Sequence, residues 1–211
     1  MSIKLYAIMR YYIENMDEKA PKEAQIEEKN TRQSFFELVR FALLALLIVL
    51  PIRFFVVEPF VVSGSSMFPA FNDTDYLIID KISYKLGDPK RNDVVIFKYP
   101  KDKTKYFIKR VIGLPNETVD IKGNIVTITT ADKKSLTLNE PYVKNIANNN
   151  THVVLGDDEY FVMGDNRTAS SDSRYWGAVH RELLVGRAFL RLLPLKNVDI
   201  LPGAYERQVK E

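Results

Sequence analysis

The chain has 211 residues, of which 46% are hydrophobic and 27% charged, with a formal net charge of +3. That composition permits a folded core. So small a positive surplus, without basic stripes or stacking aromatics on one element, gives no case for nucleic acid as a partner. Cysteine is absent, which excludes disulfides, thiolate metal sites and a cysteine nucleophile. The two histidines, His152 and His180, stand in no ligand spacing. They read as ordinary surface or loop residues, so no metal, no cofactor and no histidine-based triad is expected.

Residues 1–34 are polar and mixed in charge, with Pro21 interrupting the acid–base alternation of Glu14 to Arg32. They read as a cytoplasmic arm, helical in Leu5–Ile13. Phe35 to Val57 is a candidate membrane anchor, and Phe41 to Ile52 within it is uncharged. As a helix at ~1.5 Å per residue it spans roughly 34 Å, against a hydrocarbon core of ~30 Å. Glu37 and Arg40 lie near one end and Arg53 near the other, where long side chains reach the interface. Pro51 would bend only the last turn. Residues 21–40 carry Lys22, Lys29, Arg32 and Arg40, whereas residues 58–77 carry no Lys or Arg. This asymmetry keeps the amino end in the cytoplasm and sends the rest across a plasma membrane, with lipid as a partner. Ser63-Gly64-Ser65 has the small-x-small form of a cleavage site, but the apolar run starts far into the chain and exceeds the ~7–15 residues of a signal peptide's apolar region. An uncleaved, single-pass anchor is the expectation.

Beyond Val57 the pattern changes to short β-type runs: Tyr76–Ile79, Val94–Phe97, Tyr106–Ile112 and Tyr160–Met163 are rich in β-branched and aromatic residues and are separated by Gly, Pro, Asn and Asp clusters. Thr118–Ile121, Asn124–Thr129 and Leu136–Leu138 read as a more polar ribbon inserted at about 116–158, Asn148–Asn150 as a loop, and Gly186–Leu195 as a last apolar strand. The fold class is therefore mainly β over 58–211, behind one membrane helix.

Glu58-Pro-Phe-Val-Val-Ser-Gly-Ser-Ser66-Met67-Phe-Pro69 places a hydroxyl-rich turn just after the apolar segment. A serine hydroxyl is a weak nucleophile that needs a base. Lys109 lies inside an apolar strand, where period-2 alternation sets Phe107 and Lys109 on one face and Ile108 and Arg110 on the other. A lysine on a buried face has its charge desolvated, its pKa falls, and neutral amine becomes available. Taken alone, Lys109 reads more readily as an edge-strand charge that blocks aggregation; beside a candidate nucleophile the balance shifts toward the base. A third block, Met163–Gly177, holds the one tryptophan and is dense in side chains that rigidify a loop by bonding backbone.

Together these blocks resemble the bacterial type I signal peptidases, the S26 Ser-Lys endopeptidases. The resemblance covers roughly 40–195. It rests on Arg53 and Glu58-Pro-Phe60, Ser66-Met67-x-Pro69, Arg91–Pro100, Lys109-Arg110-Val-Ile-Gly-Leu-Pro115 and Gly164-Asp-Asn-Arg through Ser170 and Asp172 to Gly177. It implies a catalytic domain of the kind also found in LexA-like proteins. Ser66 is implied as nucleophile, Lys109 as general base and Ser170 as the hydroxyl that orients the amine. Asp172 and Arg174 are implied as a supporting ion pair, and Asp165 as a further support of that loop. The Ser66 N–H would donate to the oxyanion. Where some members carry a Ser or Thr hydroxyl two residues before the nucleophile, this chain has Gly64, with Ser65 one residue out of register, so a second donor would be water or another backbone group. Asn92 stands where glycine is common, and Asn tolerates a positive φ.

What the resemblance implies is removal of signal peptides from secreted preproteins after small residues, with Phe60, Val62, Met67 and Phe107 as substrate-binding positions and the substrate added as a strand. Two other readings are weighed. A LexA- or UmuD-like self-cleaving protein would need an Ala-Gly or Cys-Gly cut site and no membrane segment, and this chain has neither dipeptide. A non-catalytic, membrane-anchored binder of signal peptides would not need both Ser66 and Lys109.

Overall fold

The computed structural model describes residues 9–11, 34–50 and 57–205. The chain divides into two units, Met1–Ile52 and Arg53–Glu211. In the first, residues 34–50 form a helix, α1, whose large apolar residues, Phe35, Phe41, Leu43 and Leu47 among them, are exposed. Among the described residues no helix is long and apolar enough to cross a membrane. The expected anchor 35–57 continues into 51–56, which lie outside the described residues together with most of the arm 1–34. Its last residue, Val57, opens a strand rather than closing a helix.

The second unit is mainly β. An eight-stranded antiparallel sheet runs in the order β1 (Val57–Val61), β2 (Tyr76–Asp80), β11 (Leu184–Leu193), β3 (Val94–Tyr99), β4 (Asp102–Gly113), β9 (Glu159–Met163), β10 (Val179–His180), with β12 (Asp199–Ile200) paired to β11. A four-stranded sheet, β7-β6-β5-β8, is built from β5 (Thr118–Gly123), β6 (Ile125–Thr129), β7 (Ser135–Thr137) and β8 (Asn149–Val154). Two short helices, α2 (Ser83–Leu86) and α3 (Ser173–Trp176), lie in connections.

The central strands read as continuous apolar runs because both of their faces are covered, and alternation sorts their side chains into different cores. On β3, Val95 and Phe97 join one core with Val111, Tyr160 and Val162, while Val94 and Ile96 join another with Met67, Phe71, Leu77 and Ile79. On β9, Phe161 and Met163 face a third core shared with Val119, Ile121, Val126 and Ile128 of the smaller sheet.

One expectation fails clearly. Asn148–Asn150 is not simply a loop: Asn149 starts β8, which pairs along β5 from Asn149↔Gly123 to Val154↔Thr118. Backbone pairing to an existing strand overrides the low β-propensity of asparagine. The last long strand is also displaced, ending at Leu193 ahead of Pro194, which has no N–H for a ladder.

Of the strand edges left open among the described residues, those of β1 and β4 position the site. β1 pairs only with β2. β4 pairs with β3 from Asp102 to Arg110 but meets β9 only from Arg110 onward, so among the described residues its other edge is unpaired from Asp102 to Lys109. Four successive antiparallel steps separate β1 from β4, so they run in the same direction. The sheet curls until the rings of Phe60 and Tyr106 meet edge-on at 5.3 Å.

Gly113 lies where the two sheets approach closely. A Cβ there would lie 2.6 Å from Val119 Cγ2, 2.7 Å from Leu155 Cδ1 and 3.0 Å from Phe161 Cβ. Gly113→Ala is expected to lower stability by about 1–3 kcal/mol through overpacking, read as a lower midpoint in urea unfolding. An unchanged midpoint would show that the sheets yield at this point.

Candidate active site

The nucleophile turn follows β1 directly. Val62 N donates to Asp75 O (2.9 Å), Phe68 N to Ser65 O (3.1 Å) and Phe71 N to Met67 O (2.9 Å). Gly64 takes φ +90°, a conformation glycine adopts without strain, and its N–H donates to Asp73 Oδ1 (2.8 Å). Backbone geometry thus explains the absence of a side chain at 64. Met67, 1% exposed, anchors the turn in the core with Phe71 and Leu77. This corrects its expected place in the substrate groove: the side chain following Ser66 points into the core and lines no part of the groove.

Lys109, opposite Val95 on β4, is 4% exposed. Its Nζ lies 2.7 Å from Ser66 Oγ and donates to Ile108 O at 2.9 Å. Burial pulls the amine down from its ordinary range to about 8, against the opposing attraction of Asp172 and Asp165. Both carboxylates are already matched to arginines. Asp165 takes a bidentate pair from Arg110, Nε–Oδ1 2.8 Å and Nη2–Oδ2 2.6 Å, with both side chains fully buried. Asp172 receives Arg174 Nε on Oδ1 (2.7 Å) and Arg174 Nη2 on Oδ2 (2.8 Å). It also caps α3 and accepts Gly164 N at 3.0 Å.

Ser170 is placed beside this centre without the expected bond. It is buried, and its Oγ has no hydrogen-bond partner among the described residues. The backbone carbonyl of Ile108, rather than the Ser170 hydroxyl, holds the amine. Gly164 permits the close approach of this loop to the nucleophile, since a Cβ there would sit 2.2 Å from Ser170 Oγ and 2.4 Å from Ser66 O.

Between β1 and β4 lies a groove of about 460 Å³ ending at Ser66 and Lys109. Phe60, Val62 and Phe107 line it; so do Leu77, Ile96, Tyr106 and Ser171, which the sequence reading did not assign. Arg110 was placed only on the face opposite Lys109; its partner Asp165 and its bonds to Asn92 O (3.0 Å) and Gly203 O (2.6 Å) emerge from the fold. Asn92 does take a positive φ, +74°. Both histidines are exposed, His152 beside Asp120 and His180 beside Asp158, and neither lines the groove.

Below pH ~8 the folded chain carries a protonated amine in a water-poor site; between ~8 and the unfolded value of ~10.4 the unfolded chain binds more protons, so stability rises with pH across that window. Lys109→Met is therefore expected to melt higher than wild type near pH 6. That advantage should shrink by roughly 3 kcal/mol as pH climbs through the window. A difference in melting that does not vary with pH would overturn this account.

The family described as signal peptidase, peptidase S26, matches residues 35–193. A probable signal peptidase I-2 of Synechocystis sp. is 38% identical over 94% of this chain and 90% of its own length. Signal peptidase I P of Bacillus subtilis subsp. natto is 32% identical over 82% of this chain and 96% of its own. A crystal structure of a signal peptidase I from Enterococcus faecalis V583 aligns at 29% identity and a TM-score of 0.41, covering 48% of this chain and 97% of that one. The matched segment contains the turn, the buried amine and the loop that supports them, and this chain belongs to the signal peptidase family, peptidase S26.

Proposed function

We propose that this chain is a membrane-anchored serine endopeptidase that removes signal peptides from secreted preproteins with Ser66 as nucleophile and Lys109 as general base. The observation that carries the proposal is the 2.7 Å separation of Lys109 Nζ and Ser66 Oγ at the end of an apolar groove. A lysine held near pKa 8 by burial offers a neutral lone pair at working pH. In that form the amine accepts the Ser66 proton while Oγ adds to the scissile carbonyl. The Ser66 N–H stabilises the oxyanion. Collapse breaks the C–N bond, and the Lys109 ammonium gives its proton to the leaving amine. Water then attacks the acyl-enzyme, its proton again taken by Lys109, and Ser66 is regenerated.

Preprotein would enter as an extended segment between the open edges of β1 and β4, pairing by backbone. Phe60, Val62 and Phe107 bound the space for its side chains, and walls this close exclude added methylenes, which fits a preference for small residues before the cut. Asp165, Asp172 and Arg174 hold the loop behind the amine, and Ser170 supplies a hydroxyl beside it. The exposed apolar surface of α1 supports an anchor over 35–57. The excess of Lys and Arg in 21–40 over 58–77 supports a cytoplasmic arm, 1–34, and an extracytoplasmic catalytic domain, 58–211, with the inserted ribbon at about 116–158.

Ser66→Ala and Lys109→Ala are each expected to fold and to lose cleavage of a preprotein by at least about 100-fold. For wild type, kcat/KM should rise about tenfold per pH unit below ~8 and level off above it. Near wild-type processing by Lys109→Ala would end the dyad reading. Exchanging the alanine before the cut for a large residue should abolish cleavage, and equal turnover of both substrates would remove the pocket argument.

A further inference from the structure

The second residue of the Gly164-Asp-Asn-Arg run after Gly164, Asn166, has no part in the chemistry above, yet every polar group it has is engaged. It is 7% exposed. Its backbone N–H donates to Ser66 O (3.0 Å), and its side-chain Nδ2 donates to Ser65 O (3.1 Å). Its Oδ1 accepts from Asn145 Nδ2 (3.1 Å) and Thr168 Oγ1 (3.2 Å), and its own carbonyl accepts from Ala169 N (3.1 Å). The two donors on Oδ1 turn Nδ2 toward the nucleophile turn. One residue thus grips the peptide planes on both sides of Ser66.

The Ser65 carbonyl and the Ser66 N–H belong to a single planar trans peptide and point in opposite directions. Fixing the carbonyl fixes where the N–H points. Donation to that carbonyl also polarises the peptide and strengthens its N–H as a donor, by roughly 10–30% per bond in a chain of hydrogen bonds. Among the described residues the Ser66 N–H itself is unpartnered. With glycine at 64, φ +90°, no hydroxyl two residues before the nucleophile supplements it. The aim of the Ser66 N–H therefore matters more here than where a hydroxyl stands at that position.

We propose that Asn166 is a positioning residue that aims and polarises the oxyanion-binding N–H of Ser66, held in its own orientation by Asn145; this deepens the peptidase reading and rests on it. Asn166→Asp keeps the shape but sets a carboxylate oxygen against the Ser65 carbonyl, while Asn166→Ala removes the grip. Asn145→Ala leaves Asn166 in place and removes one of the two donors that orient its amide, Thr168 Oγ1 being the other.

The test uses the full chain in detergent, a peptide spanning a signal-peptide cut after Ala-x-Ala, and two inhibitors of that sequence ending in an aldehyde or in the corresponding alcohol. Ser66 Oγ adds to the aldehyde carbon, the C=O π bond opens onto oxygen as an oxyanion, and the serine proton passes to Lys109. The alcohol binds without that charge. Removing an oxyanion donor outright costs about 100- to 1000-fold in kcat; misaiming one is expected to lower kcat roughly 10- to 100-fold with KM within about twofold. Aldehyde affinity should fall by the same factor as kcat and alcohol affinity by less than about twofold, with a smaller loss of the same kind in Asn145→Ala. Unchanged kcat, or aldehyde and alcohol weakened equally, would overturn the proposal. Should the Asn166 variants not fold, Asn145→Ala decides, and wild-type kcat there overturns it. A wild-type chain that binds aldehyde no better than alcohol would instead remove the peptidase reading itself.

Discussion

Lys109 is buried to all but 4% of its surface at the end of the groove, and an amine in that position shapes the domain around it. Burial disfavours its charged form, while nearby carboxylates would restore it. Asp165 and Asp172 are close enough to pull in that direction, yet each is held by its own arginine, Arg110 or Arg174, through paired hydrogen bonds. Desolvation outweighs the pull of both carboxylates, and the amine stays near 8 instead of returning to its usual range.

Strand periodicity delivers this arrangement. Lys109 and Arg110 are neighbours on β4 and project to opposite faces. One amine reaches the end of the groove; the guanidinium beside it runs into the interior, where it also lies 4.0 Å over the Tyr142 ring and bonds Asn92 O and Gly203 O. A buried ion pair of this kind is weak evidence for stability, because desolvation offsets much of its attraction. Its geometric effect is clearer: it ties the loop that carries Ser170 to the strand that carries Lys109.

Much of this was legible in the chain. Apolar runs bounded by turn residues located the central strands, whereas a lysine inside such a run reads alone as an exposed edge charge, and its burial follows from the fold. Residues whose role depends on distant partners were not legible. Nothing local marks Arg110 as the partner of Asp165, 55 positions away, or Asn166 as the grip on Ser65, 101 positions away. Met67 was misread because proximity to Ser66 in sequence says nothing of side-chain direction in a tight turn. β8 was misread because asparagines that pair by backbone leave no apolar pattern. The bond expected from Ser170 to the amine required knowing that Ile108 O already holds it.

The parallel open edges of β1 and β4 have a consequence for what can lie between them. A helix satisfies its own backbone groups and has none to offer either edge. In the strand-addition mode proposed above, a chain in the groove would be extended over the stretch from Lys105 to Lys109, about 13 Å at ~3.3 Å per residue. In that mode a signal sequence arriving as a helix would unwind its last turn before the bond is cut. Residues that resist helix ahead of the cut site would lower that barrier, so readiness to uncoil becomes part of substrate selection alongside the size of the side chains.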